Sequence, residues 1–311
     1  LLLRRRRELV RRVTFGGAAL ASASAGVTAA ATVGWRGVSR GVFFVHHASG
    51  FSLNYSIDPL SAWFLIVLSV LAAPIAIFSI GYARHPPLDG RTVFLGIAFN
   101  VLLFSVELVF IAGDVIAFLF AWELMTLSTA ALVATEYEIA KTRGAAYLYL
   151  VMSHVATGCL IAAFFILASA SESVSFSTLL SGRVLSGPPR DIVFLLFFVD
   201  FGVKAGIIPL HVWLPEAHPA APSAISALMS GVLNKTGIYG IVRFCAFGLG
   251  TPPLSWGVLV LLVGALSAVL GVLYALMQHD LKRLLAYHSI ENIGIILLGL
   301  GAGMMGLSYG R

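Results

Sequence analysis

The sequence has 311 residues, of which 59% are hydrophobic and only 11% are charged, with a mean hydropathy of +0.95. About a quarter of the residues in a soluble domain are charged, so this composition excludes a soluble globular fold. The formal net charge of +6 predicts basic cytoplasmic loops, and we expect no nucleic-acid partner. Cys159 and Cys245 stand alone in separate apolar segments, which argues against an iron–sulfur motif or a disulfide framework and predicts two small core residues.

Apolar segments long enough to cross a bilayer recur along the chain. About 20 residues of α-helix span the hydrocarbon core. Because segments of this length are separated by charged residues, Pro or Gly, the sequence predicts an all-α fold, a polytopic transmembrane helix bundle. Its nine predicted helices lie, in chain order, at 13–33, 60–80, 92–112, 115–133, 144–169, 191–210, 223–246, 256–277 and 284–305.

The first predicted helix is the least regular of the nine. It is rich in Ala, Gly and Ser and follows a basic run, so residues 13–33 form either a transmembrane helix or a signal peptide. We predict two regions, an N-terminal basic segment with a weak first helix at 1–56 and a transmembrane domain at 57–311. The chain begins without Met and ends just after an apolar segment, and we expect it to be a fragment that lacks the C-terminal part of its domain.

The distribution of basic residues supports this helix count. If the N-terminal run lies in the cytoplasm, the loops on that side hold twelve Lys and Arg residues and the opposite loops hold five. This is the bias expected of a membrane protein, and a missed helix would exchange the two sides. The cytoplasmic set is Arg4, Arg5, Arg6, Arg7, Arg11, Arg12, Arg84, Arg91, Lys141, Arg143, Lys282 and Arg283, and the opposite set is Arg36, Arg40, Arg183, Arg190 and Arg243.

Several ionisable residues lie inside the predicted helices. A charged side chain at the centre of a bilayer costs about 2.5 to 3.5 kcal/mol on insertion scales, so it persists where it has a partner or a water-filled path. Glu123, Lys204 and Lys235 stand at mid-span, and one acid with two bases at this depth predicts a proton relay rather than a structural ion pair. The supporting candidates are His154, which is also central, and Glu107, Asp200, His288 and Glu291, which lie nearer helix ends, where an ion pair or a snorkelling side chain is an equal alternative.

The segment around Lys204 predicts a broken helix. This lysine lies within the sequence GVKAG, five residues before Pro209. Gly and Pro beside a buried charge predict a break near residues 204–209, whose freed carbonyls and amides can hold water or an ion. The alternative is an ordinary helix end followed by a Pro-rich loop. Asp200 is four residues before Lys204, so the two share a helix face and Asp200 can compete with Glu123 for the ammonium group.

Two further motifs predict no cofactor or metal on this chain. GAGMMG at 301–306 matches GxGxxG but follows an apolar helix rather than a strand, which argues against dinucleotide binding. His211 and His218 flank VWLPEA in a predicted loop. They could ligate a metal, but packing of the loop or a position at the mouth of a proton path is the better interpretation.

Three long strings resemble one family of membrane proteins. They are AWELMTLSTAAL at 121–132, GVKAGIIPLHVWLPEAHPAAPSAISALMSGVLNKTGIYGIVRF at 202–244 and HDLKRLLAYHSIENIGIILLGLGAG at 279–303, with IDPLSAWF at 57–64 as a weaker fourth. These strings resemble the antiporter-like, proton-translocating subunits that respiratory complex I, Mrp antiporters and membrane-bound hydrogenases share. The short strings HPAAPS and HSIEN most resemble those of the family members of hydrogenase-4 and formate hydrogenlyase type.

The resemblance implies a membrane-arm subunit in which a glutamate and lysine pair is coupled to a central lysine across a hydrated axis. By matched motif, Glu123 is the paired glutamate, Lys204 the paired lysine on the broken helix and Lys235 the central lysine. The resemblance also implies no redox cofactor on this chain, partners among the membrane-arm and hydrophilic subunits of a redox complex, and a place in the bacterial or archaeal cytoplasmic membrane. A subunit of a multi-subunit Na⁺/H⁺ antiporter is the alternative. Family members carry a second, inverted half, which is largely absent from these 311 residues.

Overall fold

The structure, a computed structural model, describes residues 7–34, 37–46, 51–82, 91–182 and 184–310. The chain forms two compact units, one of Leu1–Ala146 with Ala221–Val232 and one of Tyr147–Ala220 with Leu233–Arg311. The predicted boundary at residues 56 and 57 falls at the end of a strand and stays a prediction. The basic loop residues Arg4, Arg5, Arg6, Arg36, Arg84 and Arg183 lie outside the described residues.

The first unit combines long helices with one β-hairpin. Strands β1 and β2 pair antiparallel, with Ser39 opposite Ile57 and an irregularity between Val42 and Phe44. This hairpin was not predicted from the sequence. The elements are α1 (Arg7–Gly34), β1 (Ser39–His46), β2 (Phe51–Ile57), α2 (Pro59–Tyr82), α3 (Arg91–Ile111), α4 (Val115–Val133), a 3₁₀ turn (Ala134–Glu136), the first residues of α5 and α9 (Ser223–Leu228).

Asp114 joins the hairpin to the start of α4. Its carboxylate Oδ1 accepts a hydrogen bond from the Ala117 N–H at 2.8 Å, and its Oδ2 accepts one from the Asn54 N–H at 2.6 Å. The first bond satisfies an amide at the helix start that has no partner within the helix, and the carboxylate lies where the helix dipole is positive. Asp114 is only 1% exposed, so this buried acid serves as a cap that also holds β2.

The second unit contains the remaining helices. The bilayer-length helices α11 and α12 pack against each other through glycines spaced seven residues apart, Gly257, Gly264 and Gly271 on α11 and Gly294 and Gly301 on α12. Small residues let two helix backbones approach closely in a membrane. The elements are α5 (Ala140–Ser171), α6 (Phe176–Leu179), α7 (Pro188–Ala205), α8 (Leu214–Ala220), α10 (Asn234–Gly240), α11 (Leu254–Leu276) and α12 (Leu281–Ser308).

The predicted polytopic helical bundle is confirmed. Among the described residues, seven helices are long and apolar enough to cross a membrane. The other two predicted spans are interrupted. The span at 191–210 stops as an α-helix at Ala205, which confirms the predicted break. The span at 223–246 consists of α9 and α10 with wider π-helical turns at Met229–Leu233 and Ile241–Gly248. The count of nine is therefore approximate, because it depends on how these two interrupted spans are counted.

Candidate functional site

The break in the second unit begins at Gly206. This residue has φ +79°, the left-handed conformation that ends many helices. Its N–H donates to the Gly202 carbonyl at 2.9 Å, and the Ile207 N–H donates to the same carbonyl at 3.1 Å. A Cβ at Gly206 would lie 2.7 Å from Leu214 Cδ1. The backbone conformation thus favours glycine, and a methyl group here would displace the end of the Leu214 side chain.

Two side chains hold the non-helical segment at 207–213 in place. The indole Nε1–H of Trp213 donates to the Val203 carbonyl at 2.8 Å, which ties the segment back to the last turn of α7. Ser267 on α11 accepts the Ile208 N–H at 3.0 Å. Buried backbone groups outside a helix need such partners, especially in a membrane. The break is therefore a defined part of the fold, stabilised by hydrogen bonds to residues of α7 and α11.

Lys204 lies in the last turn of α7 and is only 3% exposed. Its Nζ donates to the Tyr149 hydroxyl oxygen at 3.2 Å and lies 5.3 Å from the centroid of the Tyr149 ring. The Tyr149 and Trp213 rings are 5.0 Å apart, centroid to centroid, and both residues are 0% exposed. A tyrosine can hold an ammonium group through its oxygen and through the negative face of its ring.

Asp200 lies one helical turn before Lys204 and is 1% exposed. The structure therefore confirms that both side chains belong to the buried part of α7. An acid and a base four residues apart thus share one face of this buried turn, directly before the break.

Lys235 lies on α10, which packs closely against α7. A Cβ at Gly237 would lie 2.6 Å from the Ala205 amide nitrogen, and one at Gly240 would lie 2.3 Å from Phe201 Cδ1. The two glycines thus allow α10 to approach the helix that carries Lys204. Lys235 itself is half-buried. The wider turns before and after α10 are of the kind that often occurs at functional sites.

The predicted acids Glu123 and Glu107 lie in the first unit. Glu123 is half-buried on α4 between the fully buried Trp122 and Met125, and its Oε1 atom is shielded from solvent. Glu107 is half-buried on α3. Both carboxylates thus lie within bilayer-length helices, as the sequence predicts.

The three remaining candidates lie on two helices of the second unit. His154 is exposed on α5, where its Nδ1 lies 2.9 Å from the Leu150 carbonyl oxygen. Five helical positions separate it from the fully buried Tyr149, which is about 140° around the helix, so His154 faces away from the Lys204 contact. His288 and Glu291 on α12 form a pair, with 2.6 Å between Nδ1 and Oε2. Their side chains are 43% and 22% exposed.

The two histidines considered as metal ligands occupy different surroundings. His218 is buried in α8 at 1% exposure, and the half-buried His211 ring lies 6.4 Å from the Tyr287 ring. Within the described part of the chain, no group of three or more His, Cys, Asp and Glu side chains is arranged to hold a metal ion.

Sequence reasoning missed four residues that build the site. Tyr149 and Trp213 form the wall beside Lys204, Ser267 holds the break, and Arg283 at the start of α12 forms an ion pair with Glu216 on α8. The available signals were weak, since a polar aromatic residue or a serine inside an apolar helix has many structural uses. The partners of these contacts are 10 to 67 residues apart in the chain, beyond the reach of helical periodicity.

The chain matches two described protein families. Residues 112–309 match the transmembrane family described as NADH:quinone oxidoreductase/Mrp antiporter. The chain belongs to this family. Residues 44–94 also match the N-terminal family of complex I chain 5. The first match contains the break, Lys204, Lys235 and Glu123, so the predicted resemblance is confirmed over these residues.

Named relatives agree with this assignment. Hydrogenase-4 component B of Escherichia coli K12 is 42% identical over 261 residues, which cover 82% of this chain and 38% of the relative. Formate hydrogenlyase subunit 3 of the same organism is 35% identical over 257 residues, 83% of this chain and 40% of that protein. The chain thus spans less than half the length of these relatives.

A solved structure has the same fold. The Mrp complex from Dietzia sp. DQ12-45-1b contains a chain that matches with a TM-score of 0.80 at 23% identity, covering 98% of this chain and 57% of that one. At this identity the likeness concerns the fold. The fold of this chain is therefore one already found in a chain of the Mrp complex.

Proposed function

We propose that the chain translocates protons as a membrane subunit of a redox-driven complex, of the hydrogenase-4 and formate hydrogenlyase type or the NADH:quinone oxidoreductase type. The observation that carries the proposal is Lys204, a lysine 3% exposed at the end of a broken helix, with its Nζ on a tyrosine hydroxyl. An ionisable group at this depth is a functional site by default. Family membership and the two named relatives from E. coli support the complex type.

The proposed proton carriers are Glu123, Lys204 and Lys235. Burial disfavours a charged ammonium group, whereas a nearby carboxylate favours it, so the proton moves when the partner of the lysine changes. Asp200, one turn from Lys204, is the proposed local competitor for its charge. The break after Ala205 places Lys204 beside backbone that is not helical, where proton and ion sites of membrane proteins are often found.

Electron transfer belongs to other subunits in this proposal. The chain would bind no redox cofactor of its own and would contact membrane-arm and hydrophilic subunits in the cytoplasmic membrane of a bacterium or archaeon. The assignment to multi-subunit complexes rests on the names of the relatives and of the solved structure.

The test uses the full-length protein in its complex, reconstituted in sealed vesicles. Protons moved per electron pair are measured with a pH-sensitive dye for the Lys204→Ala and Glu123→Gln variants. Removal of a proton-transfer group costs roughly a hundredfold or more in rate, so we expect translocation to be lost. Lys141→Ala, an exposed residue near the start of α5, is the control and should pump normally. Full translocation per turnover in Lys204→Ala would overturn the proposal.

A second function is a subunit of a Na⁺/H⁺ antiporter, favoured by the fold shared with the Mrp complex. The same buried groups would then exchange ions without electron transfer. An Na⁺ gradient alone should drive proton movement in vesicles under this alternative, whereas in the redox-driven case it should not. A purely structural role predicts a third result, in which Lys235→Ala disturbs assembly but leaves pumping intact.

A further inference from the structure

Asn234 is a buried polar residue that the proposed proton carriers do not include. It is the first residue of α10, directly before Lys235, and it is 0% exposed. Neither its Nδ2 nor its Oδ1 has a hydrogen-bond partner among the residues that the structure describes. A buried amide without partners costs free energy. Such a group calls for a ligand that the protein itself does not supply.

The position of Asn234 follows from the packing of α10 on α7. A Cβ at Gly240 would meet Phe201, whereas one at Gly237, a turn earlier, would meet both Phe201 and Ala205. The two helices therefore run antiparallel at this contact. Asn234 is three residues before Gly237 and shares its helix face. It lies one turn further toward the end of α7.

Non-helical backbone follows the end of α7, toward which Asn234 is displaced. In a continuous helix the Ile208 N–H would donate to the Lys204 carbonyl, but here it donates to Ser267 Oγ at 3.0 Å. The turn at Gly206 likewise redirects the amides that follow α7. Backbone polar groups at such a break are the usual lining of an internal hydrated site in a membrane protein. Asn234 thus lies on the face of α10 that packs on α7, toward the end of α7 where the break begins.

The hydrogen-bonding groups of the amide restrict the kind of ligand that can bind. Nδ2 can only donate hydrogen bonds and Oδ1 can only accept them. A ligand that satisfies both atoms must therefore accept and donate, as water does. A bare cation could contact Oδ1 but would leave Nδ2 without a partner. A buried water molecule typically makes about three hydrogen bonds, and the amide can supply two of them.

We propose that Asn234 binds an internal water molecule beside the break of α7, and that this water forms part of the proton route between Lys204 and Lys235. Asn234 is then a positioning residue, which acts through the water that it orients. The water site itself stands on the burial and packing of Asn234. Its role in the route rests on the proposed function.

The first test is structural and does not depend on pumping. A cryo-EM map of the full-length protein in its complex, at a resolution that shows ordered water, should contain density within hydrogen-bond distance of the Asn234 amide. The Asn234→Leu variant, of similar size and shape but apolar, should lack it. Absence of that density in the unmodified protein would overturn the proposal. A ligand with the short contacts of a bound cation, made only to oxygen atoms, would also overturn it.

The second test measures function in vesicles. Asn234→Leu should lower the proton translocation rate by about tenfold or more, since proton-transfer groups contribute factors at or above this size. Asn234→Ser, which restores a donor and an acceptor, should recover a large part of the rate. The matched control is Thr236→Val on the same helix, because the Thr236 hydroxyl is buried but already bonded to the Leu233 carbonyl at 2.7 Å. This control should pump normally.

The outcomes separate the two proposals. Normal pumping by Asn234→Leu, with unchanged or increased thermal stability, is the behaviour of a dry amide replaced by an apolar group and would overturn the role in the route. If Lys204→Ala also pumps normally, the proposed function itself fails, while the density at Asn234 still decides the water site.

Discussion

The Lys204 ammonium group donates to the hydroxyl of Tyr149 at 3.2 Å and lies 5.3 Å from the centre of its ring. One tyrosine thus gives this buried lysine both an oxygen and an aromatic face. The contact joins the N-terminal third of α5 to the last turn of α7, directly before the break. It therefore ties the buried side chain of Lys204 to a second helix.

We expect Tyr149→Phe to slow proton translocation by about tenfold. The substitution keeps the ring but removes the acceptor oxygen, and a hydrogen bond to a charged group is worth about 1.5 to 3 kcal/mol. Initial rates of proton movement in vesicles check this value. Tyr147→Phe is the matched control, since Tyr147 is 70% exposed on the same helix and should have no effect. Equal rates for the two variants would show that the hydroxyl does not act on Lys204.

Gly206→Ala should destabilise the turn that separates α7 from α8. Residues other than glycine lose about 1 to 2 kcal/mol in the left-handed conformation that Gly206 adopts at φ +79°. The new methyl group would also approach Leu214 Cδ1 to 2.7 Å, so that side chain must move. Thermal unfolding of the purified complex measures the loss of stability. Gly303→Ala, where no atom lies within 4 Å of the added Cβ, is the control and should be as stable as the parent protein or slightly more so.

The Glu216 and Arg283 pair should hold α8 against the start of α12. Each side chain is about one-third exposed, at 33% and 36% respectively, so solvent screens the pair and its contribution is at most about 1 kcal/mol. Glu216→Arg and Arg283→Glu should each lower the unfolding temperature, because each places two like charges together. The double variant with exchanged charges should recover most of the loss. Simple addition of the two losses in the double variant would show that the residues do not interact.

Gly264→Ala should separate α11 from α12. A Cβ at this position would lie 2.8 Å from the Leu298 amide nitrogen and 3.0 Å from the Gly294 carbonyl oxygen, both backbone atoms. Because backbone cannot move aside as a side chain can, we expect a loss of about 1 to 3 kcal/mol. Gly299→Ala on α12 adds the same methyl group where nothing lies within 4 Å. Unfolding of both variants in detergent should show a loss only for Gly264→Ala.

The sequence determined the membrane architecture because the bilayer imposes a fixed length on every crossing helix. It also predicted the break after Lys204, since Gly206 and Pro209 both disfavour a continuous helix. The β-hairpin at Ser39–Ile57 was missed. The second strand, FSLNYSI, does alternate apolar and polar residues as a half-buried strand does, but it has only 7 residues, and the first, SRGVFFVH, shows no such alternation over its 8.

The sequence predicted the burial of some candidate residues but not the exposure of others. The buried charge of Lys204 and Asp200 followed from their depth in an apolar segment, which is a property of local sequence. His154 looked equally central, yet the structure places it on the exposed side of α5. Depth along a helix can be read from the sequence, but the face that packs depends on which other helices surround it.

The partners of the buried groups were decided only by the tertiary structure. Tyr149 is 55 residues from Lys204, and Ser267 is 59 residues from Ile208. The sequence does not distinguish Asn234 from other polar residues. Its full burial and its amide without hydrogen-bond partners are visible only in the structure. Hydrophobicity and backbone preference depend on residues that are close together in the chain, so they can be predicted from the local sequence. Hydrogen bonds between helices depend on packing that brings distant residues together, and this is why the chemistry of the site emerged only from the fold.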